Sequence, residues 1–571
     1  MLKLDQFDKN AQNWTQINWA MARFDLAGLQ YEVLKAFKSG NMTKVRHAQN
    51  KLIRSFSARC LAVRKAASNK GKNTYGIDRI LYDTDDLKFE AVKEIKDLKN
   101  YIASPVRRVY ISKSDGSLRP LGIPTMKDRV VQTLFLFALE PIVEEQADAR
   151  SYGFRPYRSV QDCATYLHLI CASSTGRKRY VLDADVEKFF DSVSHKWLLD
   201  NVPLNHKILA SFLKAGFLKD ANFFETGEGF PQGSLISPVL ANFALNGLTD
   251  WIGKDLGNKF LFVRYADDFL VLGESKKDLK EIALPRVNEF LELRGLKLNL
   301  AKTVITDISE GFDYLGYHFR EYSNVTRAKG TKKGIFLVKP SRKNIDRFKR
   351  SLRDLLRATR NKDINYQIRK FNEKLRGWAE HYRTVTSTVV FNEIGAYVFK
   401  IFYKSLRKRH RKRNARWVYE RYFTKINNRN WILCSKANRK NGKVEITIKL
   451  FQIQDVTVTR HIVCKGLNSF DPENSTYFEK RVASGSRRSI ILGRQRTNLL
   501  KKQKGICSVC DGVLRDNMRE DLEVHHILPR KERGSDKLSN LLLLHKTCHQ
   551  QITYSKNEHL RAVWREKGII K

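Results

Sequence analysis

Hydrophobic positions change their period along this chain, and the changes mark its parts. In the first hundred residues Val45, Leu52, Ile53, Phe56, Leu61 and Val63 recur at mixed helical spacing among basic residues, which predicts a helical N-terminal extension and the start of a following domain over 1–100. Between 101 and 325, short apolar strands alternate with helical stretches and Gly/Pro turns, an α+β pattern without an internal repeat. Residues 326–334 read as a basic surface loop. From Pro340 the period becomes helical: Ile345, Phe348, Leu352, Leu355 and Leu356 form one apolar stripe, with Arg347, Lys349, Arg350, Arg353 and Arg357 between them. The helical region, 335–425, gives way to short predicted strands, WILCS and VEITIKLFQI, in a small basic segment over 426–492. Residues 493–571 carry a Cys/His cluster.

The chain has 571 residues, 42% of them hydrophobic, enough for several packed domains rather than one core. Lys and Arg number 106 against 60 Asp and Glu, a net charge of +46. Such an excess repels itself unless the partner is a polyanion, so it points to nucleic acid. A membrane surface is the rival, but no charge-free apolar run approaches the roughly 20 residues that span a bilayer. Of eight cysteines, five are scattered and three fall near the C-terminus among histidines, which argues for a reducing compartment and a local metal site. The N-terminus, MLKLDQFDKN, lacks the layout of a secretory signal or transit peptide.

Two segments carry candidate phosphoryl-transfer chemistry. In FLFVRYADDFLVLG (260–273) two apolar half-strands flank Tyr265-Ala266-Asp267-Asp268, a hairpin with adjacent carboxylates at its turn. In YVLDADVEKFFDS (180–192) a strand ends in Asp183 and Asp185, which share one face by the period of two. If the strands pair, at least three carboxylates converge where a divalent cation can neutralise them, as two-metal phosphoryl transfer requires. An ordinary solvated turn is the plainer reading of the hairpin alone.

These residues resemble the group II intron-encoded reverse transcriptase/maturase family. Asp185-Val186-x-x-x-Phe190-Asp191 resembles polymerase motif A, and Tyr265-Ala266-Asp267-Asp268 resembles motif C. Pro231-Gln232-Gly233-Ser234 with Ser237-Pro238 resembles the loop lining the incoming-nucleotide pocket. ISKSDGSLRPLGIPTMKDR (111–129), SYGFRP (151–156), LRGLKLNLAKT (293–303) and FDYLGYHF (312–319) follow the family order. The resemblance selects Asp185 over Asp183 and implies Asp185, Asp267 and Asp268 as catalytic carboxylates, with Mg²⁺ held at Asp185, Val186 and Asp267. It implies a dNTP pocket of Lys113, Arg119, Phe190, Gln232, Gly233 and Lys302, Phe190 excluding a ribose 2′-hydroxyl. Phe189 is the alternative for that role, or Phe190 is core.

In RKRHRKRNAR (407–416), Arg407, Lys408, Arg409, Arg411, Lys412, Arg413 and Arg416 lie close to Tyr403, Trp417, Tyr419 and Tyr422. Cations beside stacking rings suit RNA, although a charge run is often only a solvated face. The resemblance places Lys374-Leu375-Arg376-Gly377-Trp378 and His381-Tyr382 in the thumb or maturase domain; Trp378 itself reads as packing between helices, with RNA contact the alternative.

Cys507-x-x-Cys510 and His545-x-x-Cys548 have zinc-ligand spacing. Between them, EVHHILPRKERGSDKLSNLLLLHKTCHQ (523–550) resembles an HNH nuclease of ββα-metal fold. By that resemblance His526 is the general base oriented by Asn540, His525 and His549 hold Mg²⁺, and Cys507, Cys510, His545 and Cys548 hold structural Zn²⁺. A zinc-stabilised DNA-binding knob is the plainer reading. The expected architecture is a multidomain α+β right hand: fingers and palm over 101–325, thumb/maturase over 335–425, a DNA-binding segment over 426–492 and the nuclease over 493–571. The implied partners are the parent intron RNA, a double-stranded DNA target and dNTPs, with no membrane. The implied location is the bacterial cytoplasm or an encoding organelle.

Overall fold

The computed structural model describes residues 11–571 except 70, 113–115, 117, 174–177, 221, 324–333, 427–428, 439–443, 489–493, 515–521 and 556. Lys113 and most of the 326–334 loop lie outside the described residues.

Three helices open the fold: α1 (Trp19–Lys38), α2 (Met42–Arg54) and α3 (Phe56–Ser68). The side chains of Asn18, Asn41 and Ser55 cap their N-termini by accepting from backbone N–H groups otherwise left unpaired. They pack around α4 (Met126–Glu145), which is buried over most of its length. The fingers sheet has strand order β2-β1-β4-β5, made of β1 (Val106–Ser112), β2 (Leu118–Ile123), β4 (Phe217–Lys219) and β5 (Asn222–Phe224).

The palm sheet has order β6-β7-β3-β8, with β3 (Tyr180–Ala184), β6 (Leu261–Tyr265), β7 (Asp268–Gly273) and β8 (Val304–Asp307). Its alternation sends successive side chains into two different cores. Leu182, Ala184, Phe262, Phe269 and Val271 join the N-terminal helices, while Val181, Val263, Leu270 and Leu272 join the thumb side. Both faces are thereby covered, which explains why these strands read as continuous apolar runs. Three further strands, β9 (Phe312–Tyr314), β10 (Tyr317–Tyr322) and β11 (Ile335–Pro340), lead into the thumb.

The thumb consists of helices Arg342–Ala358, Ile364–Tyr382 and Thr388–Arg409. Ile345, Phe348, Leu352 and Leu356 of the predicted stripe are buried, with Leu355 at its edge. Trp378 stacks on Phe348 with centroids 4.7 Å apart, inside the helix packing. A small sheet of β12 (Phe423–Ile426), β13 (Arg429–Asn438) and β14 (Val444–Lys449) follows. The chain then straps back across the palm, where buried Asp162 accepts from Cys464 N–H at 2.7 Å and pairs with Arg481 at 2.6 Å.

The C-terminal module contains the hairpin β15 (Leu522–His526) and β16 (Leu541–His545), then helix Lys546–Tyr554. It does not stand apart: Leu499, Cys507, Cys548, Ile552 and Trp564 belong to the same apolar core as Ile17, Trp19 and Ala22. The fold is the multidomain α+β right hand with a helical thumb and a ββα module.

Candidate active sites

The polymerase-like site forms where β3 ends beside the β6–β7 hairpin. Asp183 lies opposite Leu270 and Ala184 opposite Phe269, while Tyr265 pairs with Asp268 around the Ala266-Asp267 turn. Ala266 takes a left-handed φ of 58°, a conformation the two-residue turn demands. Two supports sit under this turn. Gly153 of the SYGFRP segment approaches so closely that a Cβ there would lie 2.2 Å from the Ala266 nitrogen. Arg264 is fully buried; it donates to Asn242 Oδ1 at 3.0 Å, Asn246 Oδ1 at 2.7 Å and the Ala266 carbonyl at 3.3 Å.

The carboxylates crowd one another. Burial, then the charges of Asp267, Asp183 and Asp185, pushes Asp268 up to about 6. Burial and Asp185 do the same to Asp183, also to about 6. Asp267 is raised, chiefly by burial. Four acids in mutual range at the end of two buried strands are costly when ionised, and a divalent cation relieves that cost. The donor set is all oxygen, as Mg²⁺ prefers. Lys302 Nζ lies 3.4 Å from Asp185 Oδ2, and the Asn299 N–H donates to the Asp185 carbonyl at 2.8 Å. Val186 is buried and bridges to Leu298 in antiparallel fashion.

Next to the acids, Arg119 Nε donates to Gln232 Oε1 at 2.9 Å, so the two residues meet across the fingers and the Pro231–Ser234 loop. The Gly122 N–H donates to the Gln232 carbonyl at 2.7 Å. Gly233 has φ +114°, and a Cβ there would come within 2.6 Å of the Gly122 oxygen, so only glycine fits. Gln132 holds the loop from below by accepting from Ser234 Oγ at 2.8 Å and the Leu235 N–H at 3.1 Å. Phe189 is buried, whereas Phe190 is half-buried and packs edge-on to Phe230.

In the C-terminal module, Cys507, Cys510, His545 and Cys548 place their ligand atoms all within 4.8 Å of one another. Three soft sulfurs and an imidazole nitrogen at this separation match a closed tetrahedral zinc site. Burial opposes charge on His545, but hydrogen bonds with Cys510 and Cys548 prevail and raise it to about 9. On the hairpin, His525 and His549 rings lie 5.3 Å apart, and His549 Nδ1 is 2.7 Å from Glu523 Oε2. Burial, then His549, lowers His525 to about 4, which leaves its imidazole neutral near pH 7. His526 Nε2 sits 2.8 Å from Asp536 Oδ1. Asn540 makes no hydrogen bond to His526 here. Its amide bonds the Leu528 N–H and carbonyl and the Ser535 carbonyl, so it pins the loop that follows His526.

Residues 111–319 match the family described as Reverse transcriptase (RNA-dependent DNA polymerase), and 14–95 the N-terminal domain of reverse transcriptase. Residues 345–423 match the Group II intron, maturase-specific domain, and 507–555 the HNH endonuclease family. Protein YkfC of Escherichia coli is 32% identical over 300 residues, covering 45% of this chain and 78% of YkfC. Group II intron-encoded protein LtrA of Lactococcus lactis is 28% identical over 444 residues, 61% of this chain and 72% of LtrA. This chain belongs to the group II intron-encoded proteins. The Putative COX1/OXI3 intron 2 protein of Saccharomyces cerevisiae is a further relative, 29% identical over 334 residues, 47% of this chain and 38% of the relative. Homologues of this intron-encoded protein are thus bacterial and organellar.

The intron-encoded protein therefore combines an RNA-directed DNA polymerase, a maturase domain and an HNH endonuclease, and its partner is RNA. Both enzyme classes use divalent metals. Among the described residues no helix is long and apolar enough to cross a membrane. The basic run 407–416 straddles the end of the third thumb helix. Lys408, Arg409, Arg411, Lys412, Arg413 and Arg416 are exposed, Arg407 less so. Arg407 donates to the Arg413 carbonyl, Arg409 to the Arg360 carbonyl, and Arg416 pairs with Glu420. Arg413 sits 5.3 Å over the Trp417 ring.

Sequence reasoning passed over Arg264, Gln132, Glu523 and Asp536. Arg264 did leave a signal: it is a lone charge inside an apolar strand, where a buried guanidinium needs specific acceptors. Asp536 left none, because a loop Asp is common and its pairing with His526 depends on the folded turn.

Proposed function

We propose that this protein is the mobility factor of its parent group II intron: it binds that intron's RNA, supports its splicing, and remains bound to insert it into double-stranded DNA. The RNA would enter one DNA strand, the nuclease would cut the other, and the new 3′-hydroxyl would prime cDNA synthesis. The observation that carries this reading is the approach of Asp185 to Asp267 and Asp268 at the end of one sheet, in a chain that also holds an HNH-like hairpin.

In the polymerase, Asp185, Asp267 and the Val186 main chain would hold Mg²⁺, with Asp268 beside them. A bound cation would supply acidification of the attacking hydroxyl and neutralisation of charge in the in-line transition state. Lys113, Arg119 and Lys302 supply cations for a triphosphate, Gln232 and Gly233 line the base pocket, and Phe190 rather than buried Phe189 closes it against a 2′-hydroxyl. In the nuclease, His526 takes the proton from water while Asp536 fixes its ring, and Asn540 sets the loop behind it. His525 and His549 would hold the catalytic Mg²⁺, and Cys507, Cys510, His545 and Cys548 would hold Zn²⁺.

The functional units follow as 101–325 for fingers and palm, 335–425 for the maturase thumb, 426–492 for DNA binding and 493–571 for the nuclease. The exposed cations of 407–416 contact intron phosphates. The protein works in bacterial cytoplasm or the organelle that encodes it. The test is assay of purified protein with its flanking intron RNA for splicing, target cleavage and target-primed synthesis. Target cleavage and target-primed synthesis that do not depend on the RNA, or no activity with the RNA present, overturn the proposal.

A further inference from the structure

The Cys507/Cys510/His545/Cys548 centre is not sealed by its own module. Arg64 of α3 reaches it: Nη2 lies 3.2 Å from Cys548 Sγ and donates to Thr547 Oγ1 at 3.0 Å. The Arg64 guanidinium is 4.5 Å over the Trp19 ring and the residue is only 9% exposed. Arg23 of α1 approaches from another side, so that a Cβ on Gly512 would lie 2.8 Å from its guanidinium carbon. Arg23 Nε and Arg64 Nη1 are buried without a hydrogen-bond partner, and among the described residues neither guanidinium has a carboxylate within ion-pair distance. Gln551 completes the contact by donating to the Thr15 and Ile17 carbonyls at 3.1 and 2.7 Å.

Three thiolates and a neutral imidazole around a divalent ion leave a net charge of about −1. A buried anion and a buried cation are each expensive alone and tolerable together. Without the ion the Arg64 guanidinium, buried 3.2 Å from Cys548 Sγ, and the half-buried Arg23 beside it lose the metal centre they pack against.

We infer that Arg64 and Arg23 of the polymerase's N-terminal helices are the charge partners of this metal centre, and that the bound cation latches the nuclease module onto the polymerase. The inference rests on the zinc reading above. It makes the metal a determinant of how the nuclease is held against the N-terminal helices, as well as of the module's own fold.

The experiment uses the full-length protein with Zn²⁺ as probe. Metal content is measured by elemental analysis, and backbone hydrogen exchange is followed in peptides covering 19–38 and 56–68, before and after chelation and after zinc is restored. Loaded protein is expected to protect α1 and α3, stripped protein to lose that protection, and added zinc to restore it. Arg64→Met is expected to release zinc to chelator about 10–100-fold faster, as loss of a ligand's hydrogen-bond partner does, with Arg64→Lys close to the native protein. Unchanged exchange in α1 and α3 on stripping overturns the latch while leaving the zinc site standing. So does native-like zinc release from Arg64→Met. Failure to bind zinc at all overturns the metal reading and the inference with it. The stripping comparison needs no variant, so a poorly folding Arg64→Met leaves the test intact.

Discussion

Asp183→Asn isolates what the crowded palm acids cost. Asp183 sits on β3 facing the thumb-side core, and burial plus the Asp185 charge raise its carboxyl to about 6. An unfolded Asp titrates near 3.9, so the folded chain holds the proton more tightly than the unfolded chain does. Stability therefore falls as pH rises from about 4 to about 6, and the full cost applies above that. At about 1.36 kcal/mol per tenfold change in proton affinity, the cost is about 2–3 kcal/mol. Asparagine keeps the shape and removes the charge. In EDTA, Asp183→Asn should gain about 2–3 kcal/mol at pH 8 and close to nothing at pH 4. Urea denaturation at both pH values, with exchange protection of 180–184 and 268–273 as the readout, measures this directly. Mg²⁺ should shrink the gain, because the cation already offsets the crowding. Primer extension on an RNA template should survive in Asp183→Asn, while Asp267→Asn, which removes a proposed metal ligand, should lose about 100–1,000-fold. An equal gain at both pH values, or none at pH 8, would refute the account of Asp183 as a charge held at a cost.

Other outcomes follow from separate parts of the chain. His526→Ala should abolish cleavage of the second DNA strand and leave primer extension unchanged; a native cleavage rate removes His526 as the base. Replacing Lys408, Arg411 and Lys412 with Glu should weaken intron RNA binding and flatten the dependence of log K on log salt by about 0.7–0.9 per lost phosphate contact. An unaltered slope returns the run to a solvated surface. Gly153→Ala puts a methyl where the Ala266 nitrogen lies 2.2 Å away, so it should displace the catalytic turn and cost about 100-fold in polymerisation. Cleavage by the distant nuclease should be untouched, and normal polymerisation would show that the hairpin yields freely.

What was legible in the amino-acid sequence was what local periodicity encodes. The 260–273 hairpin and the 342–358 stripe announce themselves because neighbouring residues share one environment. The approach of Arg119 to Gln232 follows only from the order of motifs, since a fingers strand and a palm loop carry no mark of their pairing. Phe189 and Phe190 look alike in sequence, and only the fold shows that the first is buried and the second half-buried. The seat of the nuclease on α1 and α3 had no local trace at all. Trp19, Ala22 and Arg64 read as ordinary members of amphipathic helices, and nothing in their spacing says that a distant cysteine completes the surface.

That seat also has a consequence in time. About 440 residues separate Arg64 from Cys507. At about 5–20 residues per second, a ribosome takes roughly 20–90 s to cover that distance. For that interval the Thr15 and Ile17 carbonyls lack Gln551, and Arg64 lacks Thr547 and Cys548. The N-terminal helices thus wait for the C-terminal module, and every nascent chain passes through a stage in which the polymerase is made and the nuclease does not yet exist.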